Sequence, residues 1–268
     1  MFWKLYKEDT MFGDITTEIL IPQNIRAEGK IVAREGGILA GRDYVEMNLK
    51  RLSIEVEGLE DGASFEAGEV VLVLRGDAHA ILKAERTVIN VLGRMTGVAT
   101  ATRRVVEKVR KINQNVRIAA TRKTLWGYLD KLAVKIGGGD THRWNLGDMV
   151  MVKDNHLALV SKADLSRKLK DLSFTKKIEI EADTEEQAYI AAEIGADIIM
   201  LDNFSPEEVC KLASELKRKY KVLIEVSGGI TEENVLDYAK CEVDVISMGS
   251  LTHSAKSLNF SMEVERIM

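Results

Sequence analysis

Two hydrophobic rhythms divide the chain. Over residues 18–75 short apolar runs alternate with glycine: 28–34, 53–57 and 69–74 read as strands, while Gly36-Gly37, Gly58, Gly62, Gly68 and Gly76 mark turns. A helix is expected between them at 44–52. From Asp77 the spacing of Ala80, Ala84, Val88 and Val91 becomes a single helical stripe reaching Val98, and helical character resumes over 99–111.

Beyond this the texture changes. Strand-like runs recur at 116–120, 149–153, 177–181, 198–202, 222–226 and 244–248. Helices are expected at 185–194 and 206–220, the second with Ser205 as N-cap and Pro206 behind it, and Thr231-Glu232-Glu233-Asn234 opens another. Strand-then-helix alternation predicts parallel strands joined by right-handed crossovers. The strands are almost continuous Val, Ile and Met, as needed when both faces are covered. A barrel or an open wound sheet fits. No G-x-G-x-x-G follows a strand, which removes the support for a dinucleotide-binding version.

Composition narrows the function. The 268 residues suffice for one large domain or two modest ones, and 46% apolar with 30% charged residues is globular. A formal charge of −4 does not suit a nucleic-acid binder. No apolar run approaches the roughly 20 residues of a membrane helix, and MFWKLYKEDT lacks the apolar centre of a secretory leader. Cys210 and Cys241 have no metal-type spacing, and no disulfide is expected. These features point to a cytoplasmic protein.

Polar groups gather where the strands end. The run at 116–120 leads into Thr121, Arg122 and Lys123, and 149–152 into Lys153. The next ends carry Glu181, Asp202, Ser227-Gly228-Gly229 and Gly249-Ser250. In a parallel barrel these ends share one rim, which carries the active site. Arg122, Lys123, His142, Arg143 and Lys153 make a cationic wall suited to carboxylates and phosphates. Glu181 and Asp202 suit Mg²⁺, ribose hydroxyls or a developing positive charge. The late glycine loops let backbone N–H groups approach a phosphate, though Ser-Gly-Gly alone is also an ordinary tight turn. Gly137-Gly138-Gly139 reads either as simple flexibility or as a mobile loop closing over an anion. Of the four histidines, His79 is expected at the surface and His253 in a structural hydrogen bond, whereas His142 and His156 flank the cationic strand. None has zinc-type spacing.

These residues resemble a known family. Thr121-Arg122-Lys123-Thr124, Gly137-Gly138-Gly139-Asp140-Thr141-His142-Arg143 and Lys153-Asp154-Asn155-His156 look like the signature of the quinolinate phosphoribosyltransferases. The likeness runs from Glu8-Asp9 through Glu85-Arg86 and Gly97-Val98-Ala99-Thr100 to Leu251-Thr252-His253-Ser254. It implies an N-terminal α/β domain, 1–98 completed by 258–268, joined to an incomplete, open parallel α/β barrel at 99–257. It implies phosphoribosyl transfer from phosphoribosyl pyrophosphate to quinolinate with decarboxylation, giving nicotinate mononucleotide, pyrophosphate and CO₂ in NAD biosynthesis. Thr121, Arg122, Lys123, His142 and Arg143 would bind the pyridine dicarboxylate. Lys153, Glu181 and Asp202 would serve the phosphoribosyl group as catalytic residues, with Mg²⁺ at Glu181 and Asp202. Ser227, Gly228, Gly229, Gly249 and Ser250 would hold the 5′-phosphate. The resemblance further implies a homodimer, sometimes built into a hexamer, with Arg86 reaching a neighbour's site.

One stretch departs from the family. Where it usually reads RKT, one residue, then Pro-Gly-Leu-Arg, this chain has Arg122-Lys123-Thr124-Leu125-Trp126-Gly127-Tyr128-Leu129. Trp126 there either stacks on an aromatic substrate or simply packs the loop. Three other functions share parts of the pattern. A nicotinate phosphoribosyltransferase needs only one carboxylate anchor, a Schiff-base aldolase would use Lys153 as nucleophile, and an anion-binding relative linked to molybdate uptake would lack the Lys153–His156 element.

Overall fold

The computed structural model describes residues 1–267. In chain order the first elements are α1 (Phe2–Thr10), α2 (Ile15–Leu20), β1 (Arg26–Ala33), β2 (Gly37–Ile38), α3 (Arg42–Leu49), β3 (Glu55–Gly58), β4 (Ser64–Phe65), β5 (Val70–Asp77) and α4 (Ala78–Arg110). There follow β6 (Arg117–Ala119), α5 (Tyr128–Ile136), β7 (Val150–Val152), α6 (Asp154–Leu157), α7 (Lys162–Lys170), β8 (Ile178–Ala182) and α8 (Glu185–Ile194). The chain ends with β9 (Ile198–Asp202), α9 (Pro206–Lys219), β10 (Leu223–Ser227), α10 (Val235–Ala239), β11 (Val245–Ser247), α11 (Ser250–His253) and β12 (Phe260–Arg266).

Contacts divide the chain into two units. The first holds residues 1–103, 125–138 and 255 onward; the second holds 104–124 and 139–254. Segment 125–138, expected in the barrel domain, thus groups with the N-terminal part. Met268, the last residue of the expected 258–268 segment, lies outside the described residues.

The first unit is built on an antiparallel sheet of order β12-β1-β5-β3. Along β1, Ala27, Gly29, Ile31 and Ala33 face the core at period two. Helix α4 is continuous, so the break read near Val98 does not exist. The small residues around Val98 serve close packing. Leu258 N–H donates to Gly93 O at 3.0 Å, and a side chain at Gly93 would meet Leu258 O at 2.7 Å. Thr96 and Thr100 accept from Ala40 N at 3.1 Å and Ile38 N at 2.9 Å. Gly137, at the end of α5, has the same kind of role: a Cβ there would lie 2.7 Å from Thr102 Cβ. It is a point of close approach between helices, and Gly138 at φ 93° is the left-handed residue that ends α5. His79, expected at the surface, is buried with Nε2 2.9 Å from Ile21 O, because the first turn of α4 packs inward.

The second unit is a six-stranded parallel sheet of order β6-β11-β10-β9-β8-β7. Consecutive strands are neighbours, and the sheet is open between β6 and β7. Only a parallel bridge from Asp140 extends β6 on that side. Ser205 and Glu208 form the capping box of α9, with Pro206 in its first turn, and Thr184 caps α8. Two aspartates pin the strand starts: Asp197 accepts from Ile178 N at 2.9 Å and Asp244 from Ile224 N at 2.7 Å. Thr231–Asn234 is a turn closed by Asn234 Oδ1 on Thr231 N, so α10 begins later than expected, at Val235. Cys210 and Cys241 form a disulfide, correcting the expectation of none. Their 31-residue separation hides a Cα–Cα distance of 4.5 Å, created by α9 and α10 lying side by side.

Candidate active site

All six strands of the second unit end at one pocket of about 360 Å³. Thr121, Lys153, Glu181, Asp202 and Ser227 line it from β6 to β10, and Ser247 lines it from β11. Six strand ends can meet in this way only if the sheet curls. Period two then stacks two layers on the inner face. Lys153, Glu181, Asp202 and Ser227 form the rim. Two residues earlier on each strand, Met151, Glu179, Met200 and Glu225 form the floor, all but Glu179 lining the pocket.

The cationic residues expected from the sequence are here together: Arg122, Lys123, Arg143 and Lys153. Arg143 is buried, and its pKa is lowered by that burial first and by the charge of Arg122 next, with Glu179 opposing. Two guanidinium groups crowded this way favour an anion between them. Lys153 Nζ hydrogen-bonds Glu181 Oε2 across neighbouring strand ends. His156 acts on the backbone: its Nδ1 accepts from Lys153 N–H at 3.0 Å, capping the short α6 and fixing the turn that presents Lys153. Asp202 Oδ2 accepts from Asn203 Nδ2 at 2.7 Å.

The glycine loops border this rim. Gly228 and Gly229 have φ of 89° and 61°, where a side chain is strained, and a Cβ on Gly229 would meet nothing within 4 Å. Gly249 stands beside Lys123, whose Cδ would lie 3.4 Å from a Cβ placed there, and Ser250 Oγ donates to Ile230 O at 3.2 Å. His253 is exposed and its Nδ1 is 2.6 Å from Ser254 Oγ. Arg86 is an exposed residue of α4 in the first unit, whereas every lining residue of the pocket belongs to the second.

His142 lies against the floor. Its Nε2 is 3.1 Å from a carboxylate oxygen of Glu179 and 3.1 Å from one of Glu225. Burial opposes its charge, but the hydrogen bonds and charges of Glu179 and Glu225 outweigh burial and push its pKa up to about 10. Against that pull stands Arg143 N–H, which donates to His142 Nδ1 at 2.8 Å and needs a lone pair there. Nε2 therefore carries a proton in either charge state; Nδ1 gains one only by giving up the Arg143 bond. Glu179 and Glu225 were not singled out as site residues from the sequence. Their signal is an acid two residues inboard of a rim residue, in a strand otherwise apolar.

Both domains of one family match the chain. The N-terminal domain of quinolinate phosphoribosyl transferase matches residues 14–96, and the C-terminal domain of the same enzyme matches residues 98–263. The chain belongs to the quinolinate phosphoribosyl transferase family. It is 48% identical over 272 residues to a probable nicotinate-nucleotide pyrophosphorylase [carboxylating] of Methanocaldococcus jannaschii, covering 98% of this chain and 95% of that protein. It is also 48% identical over 259 residues to the Archaeoglobus fulgidus protein of the same description, covering 94% and 98%. The crystal structure of NadC from Streptococcus pyogenes superposes with a TM-score of 0.91 at 31% identity, covering 100% of this chain and 96% of that one. In this member of the quinolinate phosphoribosyl transferase family the loop after Thr124 has an internal anchor. Leu125 N and Trp126 N donate to Asp130 Oδ2 at 2.8 and 2.9 Å, and Leu129 is buried in the first unit.

Proposed function

We propose that the protein transfers the phosphoribosyl group of phosphoribosyl pyrophosphate to the ring nitrogen of quinolinate, with loss of the 2-carboxylate as CO₂. Nicotinate mononucleotide and pyrophosphate are the other products. The observation that carries this reading is the pocket itself. It gathers Arg122, Lys123 and Arg143 with Lys153, Glu181, Asp202 and Ser227, which supports a site for a dicarboxylate together with a sugar phosphate.

The residues divide the work by charge. Arg122, Arg143 and Lys123 neutralise and orient the two pyridine carboxylates, which sets the ring nitrogen toward the sugar. As the bond to pyrophosphate lengthens, positive charge grows at the anomeric carbon, and Glu181 and Asp202 stabilise it. Lys153 meets the departing or ribosyl phosphate oxygens while Glu181 keeps its side chain in place. Ser227, Gly228 and Gly229, with Gly249 and Ser250, receive the 5′-phosphate on backbone N–H groups. CO₂ then leaves with the C2–carboxylate electron pair held at C2 as an ylide beside the quaternised nitrogen, a proton from water forms the C2–H bond, and no covalent enzyme intermediate is needed.

Mg²⁺ fits the donor set. Glu181 and Asp202 are hard oxygen donors on neighbouring strand ends, the usual one or two carboxylates that this ion takes beside substrate phosphates. When bound it offsets charge on the leaving pyrophosphate. Both substrates are polyanions that do not cross a bilayer, which supports a cytoplasmic location. The exposed position of Arg86, away from its own pocket's lining, supports a homodimer in which it enters the partner's pocket.

Quinolinate labelled at the 2-carboxylate tests the proposal. Labelled CO₂ should appear in step with mononucleotide, and nicotinate should be a far poorer substrate because it offers these cations one carboxylate fewer. Brisk mononucleotide formation from nicotinate with no labelled CO₂ from quinolinate would overturn the substrate assignment.

A further inference from the structure

We propose that Glu179 and Glu225 are positioning residues for the pyridine side of the site, acting through His142 on Arg143. The proposal rests on the assignment of that side to quinolinate.

The two acids are costly where they stand. Glu179 is 0% and Glu225 1% exposed, inside a parallel sheet whose equivalent floor positions on β7 and β9 are Met151 and Met200. Methionine would fill the same space without desolvating a carboxylate. Glu225 Oε1 accepts from Ser247 Oγ, but neither oxygen of Glu179 has a hydrogen bond in good geometry. The feature that the two share is His142 Nε2, 3.1 Å from each.

His142 is held at three further points. Its backbone is left-handed, φ 52°, an unfavourable conformation for a residue with a side chain. Its N–H donates to Asp140 Oδ1 at 2.8 Å, and its Nδ1 accepts from Arg143 N–H at 2.8 Å. The ring thus closes a tight turn around its own backbone, and the next residue is the buried Arg143. Loss of the carboxylates would free the Nε2 edge, release the ring and let the turn relax. Arg143 would then lose its aim, and the charge of Glu179, which also acts on the guanidinium, would be gone.

His142, Glu179 and Glu225 could also be read as a metal site, since their ligand atoms lie within 4.8 Å of one another. The Arg143 contact argues against it. A metal would need the lone pair of Nε2, while Nδ1 already uses its own to accept a proton donor. One ring nitrogen must carry a proton, and only Nε2 remains.

The experiment compares Glu179→Met, Glu225→Met and their Gln counterparts in steady-state kinetics and in nitrogen-15 spectra of the four histidines. The Met variants should raise KM for quinolinate about 10-fold or more while KM for phosphoribosyl pyrophosphate stays within about 2-fold. Glu225→Gln, whose amide oxygen still accepts from Nε2–H, should recover most of that loss. In wild type, His142 Nε2 should remain protonated from about pH 6 to 10, and in the double Met variant the two ring nitrogens should average. Equal losses for both substrates, an unchanged KM for quinolinate, or an unprotonated Nε2 in wild type would each overturn the proposal. Wild-type protein that ignores quinolinate would defeat the assignment of substrate instead, and the spectra would still decide whether the carboxylates hold His142.

Discussion

Lys153 donates through Nζ to Glu181, and the two sit at the ends of adjacent parallel strands. A lysine engaged in this way presents a charge rather than a nucleophilic lone pair. We predict that borohydride with a phosphorylated aldehyde or ketone leaves no covalent adduct on Lys153 by mass spectrometry, against the Schiff-base alternative. Lys153→Ala should lower kcat by about 10²–10³ by removing a positioned cation. A trapped adduct would return the aldolase reading.

Arg122 and Arg143 should matter most to the dicarboxylate. Each loses a charge-assisted pair when cut to alanine, worth on the order of 2–3 kcal/mol. Calorimetry should show quinolinate affinity falling by that amount in Arg122→Ala and Arg143→Ala, with far-ultraviolet dichroism unchanged. Near-normal affinity in both would remove them from the pyridine side.

The rim of the site was legible because strand periodicity puts every strand end on one side. Thr121, Lys153, Glu181, Asp202 and Ser227 needed only that rule and right-handed crossovers. The floor was not. Glu179 and Glu225 sit inside the strands, two residues inboard of Glu181 and Ser227, where a reading confined to the strand ends passes over the period-two signal. The disulfide depends on α9 and α10 being neighbours, a tertiary fact. Helix α5 escaped because it is short and begins at Gly127 without a side-chain cap. Helix α4 runs unbroken through Val98, and the glycines and threonines there serve packing and hydrogen bonding to distant backbone.

Asp130 shows the same limit. It takes Arg94 Nε at 2.8 Å and Nη2 at 2.9 Å, with 0% and 6% of the two side chains exposed, and it also accepts from Leu125 and Trp126. Asp130→Asn removes the carboxylate charge from a buried guanidinium, so a loss of about 3–5 kcal/mol is expected in urea unfolding. A loss below about 1 kcal/mol would mean that water or another group relieves Arg94.

Glu232 ties the last turns of α4 to the loop after β10 through Arg104 and Lys108. Burial alone would raise its pKa, but the bonds from Lys108 and Arg104 win and hold it below 4.5. A depressed folded pKa contributes stability above the unfolded value and loses it as pH falls through the folded one. Wild type should therefore exceed Glu232→Gln by about 1 kcal/mol or less at neutral pH, and the gap should close below pH 4.5. A gap that persists at low pH would show that packing, not charge, is responsible.

Arg86 gives the test of assembly. It is exposed on α4 and is not among the residues that line the pocket, and the proposed homodimer gives it a role through a second copy of the chain. In a two-fold dimer each protomer would lend Arg86 to the other, making two composite sites. Arg86→Ala and Lys153→Ala proteins should each be nearly inactive. In a mixed dimer one site receives both lesions and the other receives neither. Random exchange of equal amounts makes half the dimers mixed, so activity should return to about a quarter of wild type. The mixture is assayed after subunit exchange has been proven by mass-tagged chains. If exchange is complete and no activity returns, Arg86 serves its own chain or no site at all.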